Sequence, residues 1–396
     1  MICIAGQNNI AVNFAEFLIK NNYQFIACTN RSDSGVNTFN RSFKSFCILN
    51  NIEIKVLDDL YELDNLIFIS LEFDQIINPL KFKTKFLFNL HFSLLPKYKG
   101  MYTSSLPILN GEKYSGVTIH EIDNGIDTGD ILYQRKFSIE NLNCEQLYNK
   151  YCSQGFELLK ENFSNLISNK YVKKKQDKRK STYFSKKTID YKNLTINLNK
   201  TANEIECQVR AFYFPNKQYP VVLDRKIYKC EILKERSFNK PGEIIFENTD
   251  YIKISSIDFN LKLYKLNLDD LFLYARNGYI DKIIDLLNKN HNIKIRDIKG
   301  WDILIVSTYN GKIELVKFLI EVLNWDVNTI NFNGTSFLMY AMTYASKSND
   351  LRILEYSLNL NGLDFQHKDY RNKNVFEYAL EYGNIDVINL LNQFKC

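Results

Sequence analysis

Histidine, proline and tryptophan are scarce in this 396-residue chain, at four, six and two copies. Its eight cysteines, at 3, 28, 47, 144, 152, 207, 230 and 396, form no C-x-x-C pair, and no histidines gather near them. That argues against a zinc site and a disulfide framework; no metal is expected, and a reducing, cytoplasmic setting is. No apolar run approaches the roughly 18 residues that a membrane span needs. The start, Met1-Ile-Cys-Ile-Ala-Gly6, is too short an apolar run for a secretory signal and has no basic flank. The first turn lacks G-x-G-x-x-G, so no dinucleotide is inferred. The net charge of +6 suits a protein handling anionic small molecules and does not call for nucleic acid. What is abundant is core material: 28 Phe, 25 Tyr and 45% hydrophobic residues imply two or three packed domains.

Residues 2–5 read as a buried strand, 10–20 as a helix carrying Val12, Phe14, Phe17 and Leu18, and 25–28, 66–70 and 86–89 as further strands. Strands alternating with helices imply a parallel sheet with right-handed crossovers, whose ligands bind beyond the carboxyl ends of the strands. A helix is expected near 145–169. The basic run Lys173-Lys-Lys-Gln-Asp-Lys178-Arg-Lys180 reads as a solvated linker, or else as a phosphate-attracting patch. Thr201 and Glu204 form a capping box for a helix over 201–213. Residues 219–265, with a turn at Pro241-Gly242, read as a small β unit. The expected domains are 1–185, 186–265 and 266–396.

The chemistry concentrates in Asn89-Leu-His91-Phe-Ser93-Leu-Leu-Pro96 and Gly125-Ile-Asp127-Thr-Gly129-Asp130. Alternation along an extended segment turns Asn89 and His91 to one side, and Asp127 adds a carboxylate. An amide donor, an imidazole and a carboxylate suit acyl transfer, as oxyanion stabiliser, proton acceptor and orienting group. Taken singly, each residue could equally serve packing or a turn.

Together these motifs resemble the folate-dependent formyltransferases. The pattern N-x-H-x-S-L-L-P, then G-V-T-x-H, then D-x-G-x-D-T-G, reads here as Asn89 to Pro96, Gly116 to His120 and Asp123 to Gly129. The resemblance implies a Rossmann-type α/β domain, 10-formyltetrahydrofolate as cosubstrate, and Asn89, His91 and Asp127 as catalytic residues. It places the pterin near Gln75, Ile77, Asp123 and Asp127, although Asp74-Gln-Ile-Ile77 departs from the family's glycine-containing G-L-I-L. Arg210-Ala-Phe212-Tyr-Phe214-Pro resembles a motif of the nucleotide-sugar N-formyltransferases, which makes Arg210, Phe212, Phe214 and Tyr219 candidate contacts to the acceptor. An aromatic plug of the subdomain core is the competing reading of Phe212 and Phe214. The implied acceptor is a dTDP-linked amino-dideoxy sugar, most like dTDP-3-amino-3,6-dideoxyglucose, for surface-polysaccharide (O-antigen) synthesis. The 4-amino isomer stays open, as does an inactive adaptor. A homodimer through the small β domain is also implied.

The last third is similar to ankyrin repeats. Ala275 to Leu287 recurs as Ser307 to Leu319 and as Ala379 to Leu391, and Gly278 and Gly311 lie 33 residues apart. Asn333-Gly334 begins an intermediate copy, and Ile303 stands where the T-P-L-H tetrad has proline. Such an all-α array buries each unit only on its neighbours and carries no shared chemistry. The module reads first as a structural or protein-interaction appendage; the alternative is a ligand-contacting surface, with Trp301, after Gly300, expected to be exposed and able to stack on a base as an accessory ligand site.

Overall fold

The computed structural model describes all residues except 216, 267, 290, 395 and 396. The chain divides into two compact units, residues 1–36 with 41–265, and residues 37–40 with 266–396.

The first unit opens with β1 (Ile2–Gly6), α1 (Asn8–Lys20), β2 (Phe25–Thr29), α2 (Phe43–Leu49), α3 (Leu57–Tyr61) and β3 (Ile67–Leu71). It continues through β4 (Leu87–His91), β5 (Lys99–Gly100), α4 (Leu106–Leu109), β6 (Tyr114–Glu121), β7 (Ile131–Ser138) and α5 (Cys144–Ile167). The main sheet has the order β2-β1-β3-β4-β6-β7. Four strands are parallel, as expected, but β6 pairs antiparallel with both β4 and β7. The sheet is therefore mixed. The glycine-rich stretch holding Asp127 is short enough to turn β6 straight back into β7, so no crossover helix is needed there.

Every residue of β1 is buried, which explains its unbroken apolar run. α5 buries Leu147, Tyr151, Gly155, Leu159 and Phe163, a spacing of four that lays one stripe on the sheet. Gly155 permits that close approach: a Cβ there would sit 2.9 Å from Leu90 Cδ2. An Asn143–Gln146 capping box starts the helix. Phe14 of α1 meets Phe163 of α5 edge-on at 5.3 Å.

Past β8 (Tyr183–Phe184), which pairs with β5, comes α6 (Ala202–Phe212) with the expected Thr201–Glu204 box. Then follow β9 (Val221–Val222), β10 (Arg225–Arg236), β11 (Ile244–Glu247), β12 (Tyr251–Ile254) and β13 (Phe259–Lys265). They form an antiparallel sheet in the order β11-β12-β13-β10-β9. Ile205 and Val209 of α6 pack on its Ile227, Ile252, Leu261 and Leu263.

Among the described residues the second unit holds four helix pairs: α7 (Leu268–Asn277) with α8 (Ile280–Asn288), α9 (Ile303–Tyr309) with α10 (Ile313–Lys317), α11 (Phe337–Ser348) with α12 (Arg352–Leu358), and α13 (Val375–Tyr382) with α14 (Ile385–Asn392). A π-helical turn, Phe318–Val322, extends α10. Gly278, Gly311 and Gly383 take positive φ between paired helices; in the third pair Asn349 does so at φ 58°. Asparagine tolerates the left-handed region better than other side chains, so the period continues without glycine. The proline missing at Ile303 is replaced by a cap: Asp302 accepts from the Ile305 amide. The same carboxylate accepts from Trp325 Nε1 at 3.2 Å and Thr329 Oγ1 at 2.6 Å, tying that helix start to the following loop.

Candidate active site

Asn89 and His91 lie in β4 itself, at the carboxyl edge of the parallel strands, and Asp127 lies in the β6–β7 turn. The structure brings all three together. One carboxylate oxygen of Asp127, Oδ1, accepts from Asn89 Nδ2 at 3.2 Å and lies 3.5 Å from His120 Nε2. The other, Oδ2, accepts from the Gly100 amide at 2.8 Å and lies 3.4 Å from His91 Nδ1. Burial alone would raise the Asp127 carboxyl's pKa. The charge that His91 carries when protonated and the Gly100 N–H outweigh burial and hold it well below the usual carboxylate range.

The neighbours also fix where protons sit. His91 Nε2 is 2.8 Å from the Tyr98 carbonyl, which can only accept, so that nitrogen carries hydrogen and Nδ1 faces Asp127. His120 Nδ1 likewise donates to the Glu121 carbonyl at 2.7 Å, leaving Nε2 to accept from Asn89 Nδ2 at 3.0 Å. Exchanging the nitrogen and oxygen of the Asn89 amide would set its oxygen against a carboxylate, which fixes its orientation. Both Asn89 N–H bonds are thus engaged, one by an imidazole and one by Asp127.

Asp127 itself has φ 53°, a left-handed conformation that costs a non-glycine residue about 1–2 kcal/mol. Three features hold the turn in place. A Cβ on Gly129 would lie 1.8 Å from the Glu121 carbonyl oxygen, so only glycine fits there. Asp123 Oδ1 accepts from the Gly125 amide and from Thr128 Oγ1. Gln176 Nε2 donates to the carbonyls of Asp127 at 2.8 Å and Gly129 at 2.7 Å.

Gln176 lies inside the basic run read from sequence as a solvated linker. That expectation is corrected. Lys174 bridges to Ile131 of β7, Lys173 pairs with Glu121, and the segment braces the Asp127 turn because its backbone extends a sheet edge. His120, Tyr98, Gly100 and Gln176 were missed as site residues. His120 had a signal, since it closes the G-V-T-x-H motif; the other three act through backbone groups or a lone amide. Lys99 is also buried here. Burial lowers its ammonium's pKa, against the attraction of Asp127 and Asp123.

The remaining expected residues are placed differently. Gln75 and Ile77 lie in the loop after β3, with Ile77 packed on the core beneath the sheet. Arg210 donates to Glu206 at 2.5 Å and to the Leu142 carbonyl at 2.9 Å, so its guanidinium is partly committed within the protein. Phe214 is fully buried and Phe212 packs on two cores, which favours the plug over an open stacking face. Tyr219 is half-buried beside Tyr213, with the Lys226 ammonium 5.6 Å from its ring. In the second unit Trp301 is half-buried rather than exposed: Tyr309 and Tyr340 approach its ring at 5.0 and 4.9 Å, because stacked repeats bring Tyr340 against it.

Comparison with known proteins agrees with this geometry. Residues 54–163 match the formyl transferase family model, 188–270 the formyl transferase C-terminal domain, and 271–356 ankyrin repeats in three copies. The crystal structure of WlaRD, a sugar 3N-formyltransferase crystallised in the presence of dTDP and 5-N-formyl-THF, is 44% identical at TM-score 0.63, over 67% of this chain and 97% of that one. An N-formyltransferase from Helicobacter canadensis, in complex with folinic acid and dTDP-3-aminofucose, is equally similar at 44% identity and TM-score 0.63, over 67% and 99%. Among curated proteins, methionyl-tRNA formyltransferase of Clostridium tetani is 33% identical over 210 residues, 50% of this chain and 66% of its own length. With near-complete coverage of two relatives and both formyl transferase domains matched in order, this chain belongs to the formyltransferase family and carries ankyrin repeats behind its catalytic half.

Proposed function

We propose that this chain transfers the formyl group of 10-formyltetrahydrofolate to the amine of a dTDP-linked 3-amino-3,6-dideoxyhexose, most like the gluco isomer, in the cytoplasm, for surface-polysaccharide synthesis. The observation that carries the reading is the Asn89–His91–Asp127 cluster in a chain 44% identical to a sugar 3N-formyltransferase over nearly all of that protein. The amine nitrogen attacks the formyl carbon and a tetrahedral oxyanion forms. Asn89 stabilises it by exchanging one of its two present N–H contacts for the oxyanion. The nitrogen's surplus proton passes into the space between His91 Nδ1 and Asp127 Oδ2, whose facing lone pairs then hold it together. Cleavage of the bond to folate N10, with protonation of that nitrogen, releases tetrahydrofolate and a formamide. Donor, acceptor and these two side chains account for every bond and proton, so the step calls for no metal.

The folate is assigned to the loop at Gln75 and Ile77 and the Asp123–Asp127 turn. The nucleotide is assigned to the neighbourhood of Arg210, Phe212, Phe214 and Tyr219, with Phe212 and Phe214 shaping the wall from within. A homodimer through the small β sheet is supported by edge strand β11, whose Ile244, Ile245 and Phe246 are exposed. For the repeat module, the accessible part of Trp301, with the Lys299 ammonium 5.4 Å from its ring, is assigned a second nucleotide sugar. Trp301→Ala should then remove one bound equivalent in a titration with dTDP-amino sugar; unchanged stoichiometry and kinetics would remove that assignment.

The decisive experiment supplies the full chain with 10-formyltetrahydrofolate and, in separate reactions, dTDP-3-amino and dTDP-4-amino sugars. Formamide is expected with the 3-amino sugars. Turnover of the 4-amino sugar alone would move the reacting nitrogen. No turnover with any acceptor would leave an adaptor of formyltransferase shape.

A further inference from the structure

The carboxyl edge beside His91 carries a second carboxylate that the formyl-transfer step does not use. Glu72 is the first residue after β3. The last registered pair between β3 and β4 is Leu71 with Leu90, so Glu72 follows the β3 residue paired beside His91, and its left-handed backbone turns it out of the strand there. Nothing in the reading of the motifs singles it out.

Two contacts to the side chain and one to the main chain hold this residue in place. Oε2 accepts from Tyr148 Oη at 2.9 Å and from Asn8 Nδ2 at 3.2 Å, while the Asn30 amide donates to the Glu72 carbonyl at 2.8 Å. Its backbone takes φ 56°, a region in which a glutamate is strained and persists only where its surroundings impose it. Oε1 has no hydrogen-bond partner among the described residues. Burial raises the carboxyl's pKa, against the hydrogen bonds from Tyr148 and Asn8 and the charge of Lys217.

The cluster also joins the two halves of the expected acceptor path. Tyr148 lies against Phe92, the residue after His91, at 6.2 Å on one side, and against Phe214 at 5.9 Å on the other. The Lys217 ammonium is 5.1 Å from the Phe214 ring. A ligand with its nucleotide near Phe214 and its reacting nitrogen near His91 passes Glu72 with the hexose.

We propose that Glu72 binds the amine-bearing edge of the acceptor sugar, its open Oε1 accepting hydrogen from the amino group while Tyr148 and Asn8 hold Oε2. This rests on the amino-sugar reading above. A fixed carboxylate favours a cationic amine over a neutral hydroxyl, and its second oxygen, already occupied, cannot swing away. Discrimination for an amine is thereby set before the chemical step.

The test compares wild type, Glu72→Gln and Tyr148→Phe with a dTDP-3-amino-3,6-dideoxyhexose, and measures binding of the analogue that carries hydroxyl in place of the amine. Loss of a charge-assisted hydrogen bond should raise the amino-sugar KM of Glu72→Gln about 10- to 100-fold. The KM for the folate and the melting temperature should stay near wild type, and the preference for amine over hydroxyl should collapse. Tyr148→Phe, which frees Glu72 to move, should weaken the same preference less. An unchanged amino-sugar KM in Glu72→Gln, or a preserved amine-over-hydroxyl ratio, overturns the proposal while leaving the formyl-transfer reading intact. Absence of wild-type turnover with every amino sugar overturns both. If Glu72→Gln fails to fold, the Tyr148→Phe ratio decides.

Discussion

His91→Asn should lower kcat by about 10²- to 10⁴-fold, the usual cost of losing a positioned acid–base group, with a melting temperature close to wild type. The imidazole is buried and makes one strong contact, Nε2 to the Tyr98 carbonyl, which an asparagine amide in the same strand position can partly replace. What it cannot replace is Nδ1, the atom 3.4 Å from Asp127 that can take and return a proton. The loss should therefore fall on kcat, while the KM values for folate and acceptor move little, because Nδ1 faces Asp127 and its part in the reaction is the proton transfer. Steady-state kinetics together with a thermal melt separate this outcome from misfolding. A folded His91→Asn enzyme with kcat near wild type would remove His91 from the mechanism and leave Asp127 as the sole proton acceptor.

Much of this site could be read from the chain because its chemistry is written in side chains at fixed spacing. Asn89 and His91 share a strand face, and the turn residues Gly125, Asp127 and Gly129 must occur together for the carboxylate to approach β4. The ankyrin period was equally legible, since the glycines between paired helices repeat with the stacking distance. Three things were not. The antiparallel pairing of β6 depends on which strand accepts the hairpin, a long-range choice that local alternation does not encode. Gln176 braces Asp127 through two main-chain carbonyls, and its neighbours are lysines, so composition hid it within a run that looked solvated. Arg210 and Phe214 are a different case: their residue types suggest ligand contact, while the sharing of the guanidinium with Glu206 and Leu142 and the closing of the ring into the core are decided by packing. Glu72 sits between these cases. Its place at the end of β3 follows from the strand pattern, but its left-handed backbone and its Tyr148 and Asn8 partners appear only in three dimensions.

Asp127→Asn should be as damaging as the loss of His91, for a reason that also predicts its pH dependence. The carboxylate receives donors on both oxygens: Asn89 on Oδ1, and the Gly100 amide on Oδ2. An asparagine offers one acceptor oxygen and one NH₂, so whichever way it turns, two donors face each other in a buried site. The His91 proton also loses its charged partner. A fall in kcat of about 10²- to 10⁴-fold is expected, this time with a lower melting temperature. The folded carboxyl is held below its unfolded value of about 3.9. A depressed carboxyl contributes stability that is complete above that unfolded value and is lost as pH falls through the folded one. The melting temperatures of wild type and Asp127→Asn should therefore differ most at neutral pH and converge as the solution is acidified below about pH 4. A gap that stays constant across that range would mean the carboxylate's ionisation contributes nothing to the fold. The Asp127 carboxyl would then titrate alike in the folded and unfolded chain, and its contacts with Asn89, His91 and Gly100 would not be what holds it ionised.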